Sequence, residues 1–167
     1  MIKELLIVLI VAISLLYFIL AAQFESLLQP AIILTEIVLD VCIVMLVLWL
    51  LGESLNIMSM IGLVVMSGII INDSILKVDT INRLYRSGMP LLKAILTAGH
   101  RRLKPIVMTS LTTILALMPF LHHGDMGSAL QFPLSLTLIV GMLVGTLVSL
   151  FFVPLVYYVI YKPRQKR

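Results

Sequence analysis

Five long apolar stretches, separated by short polar segments, dominate the pattern of hydrophobic and polar positions along this chain. We call them spans A to E, and they cover about residues 5–22, 31–51, 57–77, 103–121 and 132–161. Each approaches or exceeds the roughly 20 apolar residues that an α-helix needs to cross a bilayer. Because lipid offers the backbone no hydrogen-bond partners, each span must be helical. The pattern predicts an all-α, polytopic membrane helix bundle with five transmembrane helices.

The connection between spans C and D carries a helical pattern of its own. Pro90 suits the first turn of a helix. The residues after it place leucine and isoleucine on one face, and Lys93 and Arg101 on the other sides. Amphipathic helices of this kind lie in the membrane interface. We predict such a helix over about residues 90–100, at the cytoplasmic surface, and a short interfacial turn between spans A and B.

Composition agrees with a membrane protein. Hydrophobic residues make up 61% of the chain and charged residues only 12%, which is more apolar surface than a soluble core can bury. Six of the twelve Lys and Arg residues lie between spans C and D, and four follow span E. By the positive-inside rule these regions are cytoplasmic, which places the C-terminus in the cytoplasm and the N-terminus in the periplasm. The net charge of +4 therefore requires no nucleic acid partner.

Two carboxylates interrupt the apolar pattern of span B. Glu36 and Asp40 are four residues apart, so they share one face of a helix. Two carboxylates this close cannot both be ionised cheaply in a medium of low dielectric constant, so at least one of them is expected to hold a proton. The pair is then either a proton carrier or a silent contact that faces a polar groove or a neighbouring helix. The sequence leaves both interpretations open.

Span C carries a second polar group at its inner end. Asp73 and Lys77 are four apart in the order that favours an ion pair within one helix, and Asn72 precedes them. A helix that enters at Ile57 reaches Asp73 after roughly 24 Å, in the inner part of the membrane. We expect Lys77 to extend to the cytoplasmic surface, whereas Asn72 and Asp73 lie deeper and are functional candidates.

Spans D and E add hydroxyl groups and glycines. Thr109, Thr112 and Thr113 share a face of span D, where they either bond the carbonyl four residues earlier or hydrate a proton path. Gly141 and Gly145 have the GxxxG spacing that predicts close helix packing. The His, Cys and Met residues have no metal-ligand spacing, and no nucleophile has a matched base. We therefore predict no metal, no cofactor and no enzyme activity.

Three segments carry a resemblance to a known family: Ser59–Asn82, Arg101–Pro119 and Gly145–Pro154. With them, the chain resembles the C-terminal membrane portion of a resistance-nodulation-division (RND) efflux permease of the acriflavine-resistance, AcrB-like type. The resemblance covers nearly the whole chain and corresponds to transmembrane helices eight to twelve. Its most specific part is Arg101–Pro119, which combines order, spacing and a transition from cytoplasm to membrane. The chain would then form half of an RND transmembrane domain.

This resemblance implies a proton-driven exporter of amphiphilic compounds in the bacterial inner membrane. It also implies a homotrimer in the full-length form, joined by a periplasmic adaptor and an outer-membrane channel. Matching the motifs places the eleventh-helix Arg and Thr of the proton relay at Arg102 and Thr109. The tenth-helix Lys falls on Asn72, and neither Asp73 nor Lys77 is a straightforward substitute. The fourth-helix carboxylates and the porter domains would precede Met1, so we expect the chain alone to be inactive.

Seven residues are thus candidates for a proton relay: Asp73, Asn72, Arg102, Thr109, Glu36, Asp40 and Lys77. Two alternatives to a portion of a pump remain. The chain is a half-transporter that completes a split pump with a partner chain, or it is a membrane anchor or assembly fragment without transport. The intramembrane charges disfavour an anchor, which gains nothing by burying them.

Overall fold

The computed structural model describes residues 2–122 and 127–162, and the predicted helical bundle is confirmed. Its five α-helices are α1 (Ile2–Phe24), α2 (Leu28–Leu50), α3 (Ile57–Arg86), α4 (Leu91–Leu117) and α5 (Ser128–Tyr161), and a 3₁₀ turn over Met118–Leu121 extends α4. Helices α2 to α5 are long and apolar enough to cross a membrane, and α1 contributes the shorter apolar stretch Ile10–Phe24. The histidine and acidic residues of positions 123–126 and the basic tail of positions 163–167 lie outside the described residues.

The outer surface of the bundle is apolar. Trp49, Ile57 and Phe151 are each about three-quarters exposed, and many Leu, Val and Ile side chains also point outward. Such a surface is stable only in lipid, because the hydrocarbon replaces the apolar neighbours that a soluble core would supply. Cys42 is also exposed on α2.

Two helices are longer than the spans assigned to them. Helix α3 continues from Lys77 to Arg86 and measures about 45 Å, so it extends beyond the hydrocarbon core of roughly 30 Å. Helix α4 is continuous from Leu91 to Leu117 and joins the predicted interfacial helix to span D. Its first turns bury Leu91, Ala94, Ile95 and Ala98 against the bundle. This packing explains why the segment forms one helix with span D despite Pro105.

The connection between α1 and α2 is a tight turn. Glu25 has a φ of 50°, a left-handed conformation that reverses the chain immediately after Phe24. The hydroxyl of Tyr17 donates a hydrogen bond to the carbonyl of Leu27 at 3.1 Å and holds the turn against α1. Pro30 lies in the first turn of α2, where its missing N–H breaks no helical hydrogen bond.

Two apolar clusters form the core. The inner cluster comprises Leu20, Phe24, Ile32, Ile33, Val78, Ile81, Leu91, Ile95, Ala98, Val153 and Tyr157. The outer cluster comprises Val44, Leu48, Met66, Ile70 and Leu138. Helices α2, α3 and α5 contribute to both clusters, so these three helices form one continuous seam, and α1 and α4 pack against its inner part.

Glycines bring α3 and α5 into close contact within the seam. A Cβ atom on Gly141 would overlap Sδ of Met66, and one on Gly145 would overlap Cδ1 of Ile70. Neither position has room for a side chain while its neighbour keeps this rotamer. The close packing that the GxxxG spacing predicts is therefore present.

Candidate functional site

A layer of polar side chains crosses the seam between the two apolar clusters, and we call it the charged layer. It comprises Glu36 and Asp40 from α2, Ser74 and Lys77 from α3, and Ser149 from α5. None of the five side chains is more than 2% exposed. Along each helix, apolar residues of the inner cluster lie on one side of the layer and those of the outer cluster on the other.

Hydrogen bonds link most of the charged layer into one chain. The hydroxyl of Ser74 donates to Oε2 of Glu36 at 2.6 Å and lies 3.2 Å from the hydroxyl of Ser149. Nζ of Lys77 donates to the Oγ of Ser149 at 2.7 Å and to its carbonyl oxygen at 2.5 Å. The two serines thus connect the carboxylate of Glu36 to the ammonium of Lys77, across three helices.

The position of Lys77 corrects the sequence-based expectation. We expected this side chain to extend to the cytoplasmic surface, yet it is 1% exposed and bonded to Ser149. Its place on α3 explains the difference, because Lys77 lies one turn from Ser74 on the face that packs against α5.

Three carboxylate oxygens in the layer have no hydrogen-bond partner among the described residues. They are Oε1 of Glu36 and both oxygens of Asp40. Oδ2 of Asp40 lies 3.7 Å from the position that a Cβ on Gly145 would take, so Asp40 reaches the glycine surface of α5. Unsatisfied carboxylate oxygens in an apolar interior are costly and mark a place where a ligand or proton belongs.

A second polar group, which we call the amide layer, closes the inner end of the seam. The side chains of Gln29 and Asn82 exchange two hydrogen bonds of 2.7 and 3.0 Å. Gln29 also donates to the hydroxyl of Tyr161 at 2.9 Å, and the hydroxyl of Tyr157 donates to Oδ1 of Asn82 at 2.6 Å. The rings of Tyr157 and Tyr161 are stacked with their centroids 4.4 Å apart. These contacts hold α2, α3 and α5 together.

The remaining candidates lie outside the seam, in a groove between α3 and α4. The groove has a volume of about 510 Å³ and is half open to the surroundings. It is lined by Val65, Gly68, Ile69, Asn72, Asp73, Leu76, Arg102, Pro105, Ile106 and Thr109. Asn72 and Thr109 are exposed, and Asp73 and Arg102 are half-buried. Nε of Arg102 donates to Oγ1 of Thr80 at 2.8 Å, which fixes the guanidinium against α3.

The threonines of α4 bond to their own helix. The hydroxyls of Thr109, Thr112 and Thr113 each donate to the carbonyl four residues earlier, at 2.7 to 2.9 Å. Of the two interpretations offered by the sequence, these contacts favour the structural one for Thr112 and Thr113. Thr109 satisfies its donor in the same way and still presents its side chain to the groove.

The structure thus divides the seven candidates into two sites. Asn72, Asp73, Arg102 and Thr109 line the groove, and Glu36, Asp40 and Lys77 belong to the charged layer. Sequence reasoning missed Ser74 and Ser149, because a single serine in an apolar helix is an ordinary occurrence. Within residues 2–122 and 127–162, no group of three His, Cys, Asp or Glu side chains is arranged to hold a metal ion.

Helical spans that enclose charged residues, with a polar groove on one side, are typical of membrane transporters. The family model of the AcrB/AcrD/AcrF family matches residues 1–161. The chain belongs to this family and is a membrane fragment of an AcrB-like RND permease.

Known relatives agree with this assignment. Swarming motility protein SwrC of Bacillus subtilis is 34% identical over 157 residues, which are 93% of this chain and 15% of that protein. Multidrug resistance protein MdtC of Erwinia amylovora is 32% identical over 156 residues, again 93% and 15% of the two chains. The crystal structure of a heavy metal efflux pump superposes with a TM-score of 0.85 and 26% identity, over 96% of this chain and 16% of the pump. The chain thus spans about 15% of the length of these relatives.

Proposed function

We propose that this chain is the C-terminal membrane portion of a proton-driven RND exporter, and that it works only when the other transmembrane helices and the porter domains accompany it. Family membership supports efflux transport as the general role. The name of the MdtC relatives, multidrug resistance protein, supports amphiphilic compounds as the exported class. The family also supports a homotrimer, with a periplasmic adaptor and an outer-membrane channel as further partners.

The half-open groove is the observation that carries this proposal. Four of the seven candidates from the sequence, Asn72, Asp73, Arg102 and Thr109, line it together. Polar groups at membrane depth are tolerated where they face a water-filled cavity or another helix. Transporters place coupling sites at the interface of two internal repeats, and this chain holds most of one repeat. We therefore assign the groove as the surface on which the missing repeat packs, with Asp73 as its titrating group.

The membrane location and orientation follow from the positive-inside rule. We place the chain in the bacterial inner membrane, with the N-terminus in the periplasm and the C-terminus in the cytoplasm. Ser87, at the end of α3, is then cytoplasmic, and Gly127, just before α5, is periplasmic. A cysteine at each position should react with an impermeant thiol reagent from opposite sides. Reaction from the same side would contradict the orientation.

Substitution of Asp73 in the full-length permease tests the coupling role. We expect Asp73→Asn to abolish export while expression and assembly stay unchanged, because it removes a titrating group at nearly constant volume. Export is measured as dye accumulation in energised cells that lack other pumps. The control is Asp79→Asn, since Asp79 forms an ion pair of 3.0 Å with Arg83 on the same helix and lies outside the groove. Export retained by Asp73→Asn would remove Asp73 from the coupling site.

A half-transporter in a split pump is the second candidate. It is favoured by the two apolar clusters, because the described helices α1 to α5 all contribute buried side chains to them and so give this chain a core of its own. A separate chain that supplies the other repeat should then copurify in stoichiometric amount. Purification of one continuous permease instead would reject the split pump.

A further inference from the structure

The charged layer is a second polar site, separate from the groove to which the proposed function assigns proton coupling. Its carboxylates belong to α2, which contributes no residue to the groove, and they are fully buried. Asp73, Asn72, Arg102 and Thr109 face a surface that other helices can cover, whereas Glu36 and Asp40 face only residues of this chain. The layer is therefore enclosed by the described helices of this chain.

Counting charges shows what the layer lacks. Two carboxylates and one ammonium sum to a net charge of −1, in a place where all three groups are at most 1% exposed. Uncompensated charge in such an interior is very costly, so one further positive charge is required. The neighbouring elements do not supply it. Helix α5 has no Asp, Glu, Lys or Arg within Ser128–Tyr161, and α1 carries its charged residues, Lys3 and Glu4, in its first turn.

Two further charged groups near the layer, one on α3 and one on α4, lie in the groove. Asp73 and Arg102 both line the groove, one negative and one positive. Arg102 is also held by Thr80, whose hydroxyl accepts a hydrogen bond from its Nε at 2.8 Å. Its guanidinium is thus committed elsewhere, and the deficit of the charged layer remains.

The unpartnered oxygens show where the missing charge belongs. Oε2 of Glu36 accepts the hydroxyl of Ser74, but Oε1 of Glu36 and both oxygens of Asp40 have no donor among the described residues. Glu36 and Asp40 are one helical turn apart on the same face. An O–H on one carboxyl directed at the other satisfies a donor and an acceptor at once and makes the layer neutral.

We propose that the charged layer is a proton-binding site, separate from the groove, that holds one proton on the Glu36–Asp40 pair against the fixed ammonium of Lys77. A carboxylate oxygen of the pair takes the proton from hydronium, which becomes water, when the layer is exposed to solvent during folding or helix movement. Apolar residues on both sides then keep water away from it. The site requires no transport activity and can be examined whether or not the permease exports.

Infrared absorption of the whole 167-residue chain in lipid nanodiscs tests this site. The C=O stretch of a protonated carboxyl is resolved from that of a carboxylate, and the samples are measured at neutral pH with choline as the only salt cation. We expect a band equivalent to one protonated carboxyl from the layer. Absence of any such band in the wild-type chain would overturn the proposal without the need for a variant.

Substitutions distinguish one proton shared by the pair from two carboxyls that bind protons independently. Glu36→Gln and Asp40→Asn should each remove the whole band of the layer, because the one remaining carboxylate is balanced by Lys77. Lys77→Met should instead double it, since two carboxyls must then be neutral. Bands halved by the single carboxyl substitutions, or unchanged by Lys77→Met, would show independent protonation and overturn the proposal.

Further measurements distinguish the charged layer from other possible sources of the infrared band. Asp79→Asn, on an ion-paired residue of α3, is the matched control and should leave the band unchanged. Complete loss of the band in Asp73→Asn would place the proton in the groove and reject the site in the layer. Replacement of choline by sodium should also leave the band unchanged. Its disappearance would mean that the layer binds Na⁺ instead of a proton.

Discussion

The groove and the charged layer are built from the same helix, α3, and differ in what completes them. The groove is half open, and its Asp73 and Arg102 are half-buried beside space that other helices can occupy. The charged layer is closed, and its Glu36, Asp40 and Lys77 are at most 1% exposed. The polar groups of the groove lie at a surface of the chain, whereas those of the charged layer are enclosed by its helices.

This difference separates two consequences of placing charge in a membrane. At the groove, polar residues make the helix face unsuited to lipid and so favour its contact with a further protein surface. In the layer, polar residues bind three helices of one repeat to each other and fix their register. A substitution in the groove should therefore affect assembly and export, and one in the layer should affect the stability of the chain itself.

Loss of the ammonium in the layer should give the largest change in stability. Removing one partner of a buried ion pair usually costs about 3–5 kcal/mol, and uptake of a second proton offsets part of it, so for Lys77→Met we expect a loss of about 3 kcal/mol. The free energy of unfolding is measured by circular dichroism during titration of the detergent-solubilised chain with sodium dodecyl sulfate. Lys104→Met, an exposed lysine of α4, is the control and should change little. Equal effects of the two substitutions would contradict a buried role for Lys77.

Substitutions of two glycines, one in the seam and one in the groove, test the same difference with an expected effect of intermediate size. For Gly145→Leu we expect a loss of about 2 kcal/mol, because the new side chain overlaps Ile70 and displaces Asp40, and overpacking of a core costs about 1–3 kcal/mol. Gly68→Leu should leave the unfolding of the chain unchanged, since nothing lies within 4 Å of a Cβ there.

In the full-length permease, Gly68→Leu should impair export even though it leaves the unfolding of the chain unchanged. Gly68 lines the groove, so a leucine would fill space that the other repeat needs, and export should fall although the chain is stable. Full export by Gly68→Leu would mean that the groove is not the surface on which the missing repeat packs.

The sequence predicted the class of fold and the main candidates because both depend on local rules. Hydrophobic length places the spans, and the cost of charge in lipid singles out Glu36, Asp40 and Asp73. The spacing of Gly141 and Gly145 predicted close helix packing without naming the partner helix, and in the structure Met66 and Ile70 of α3 fill the glycine surface.

The features that could not be predicted from the sequence are those set by which face of each helix packs against which neighbouring helix. Lys77 was expected at the surface because its depth allows the side chain to reach water, but the direction of its face is set by packing against Ser149. The link between Gln29 and Asn82 joins residues 53 positions apart. Such a pairing between two helices cannot be predicted from the periodicity of either one.

The smallest change in stability is expected in the amide layer, and its size shows whether this layer stabilises the seam as much as the charged layer does. Tyr157→Phe removes the hydroxyl that donates to Oδ1 of Asn82, but this oxygen still accepts from Gln29, so no buried acceptor is left without a partner. A hydrogen bond lost in this way costs about 1 kcal/mol. Tyr85→Phe removes the same atom from an exposed residue and is the control. Measured by the same detergent titration, a loss comparable to that of Lys77→Met would mean that the amide layer, rather than the charged layer, is the main polar contact of the seam.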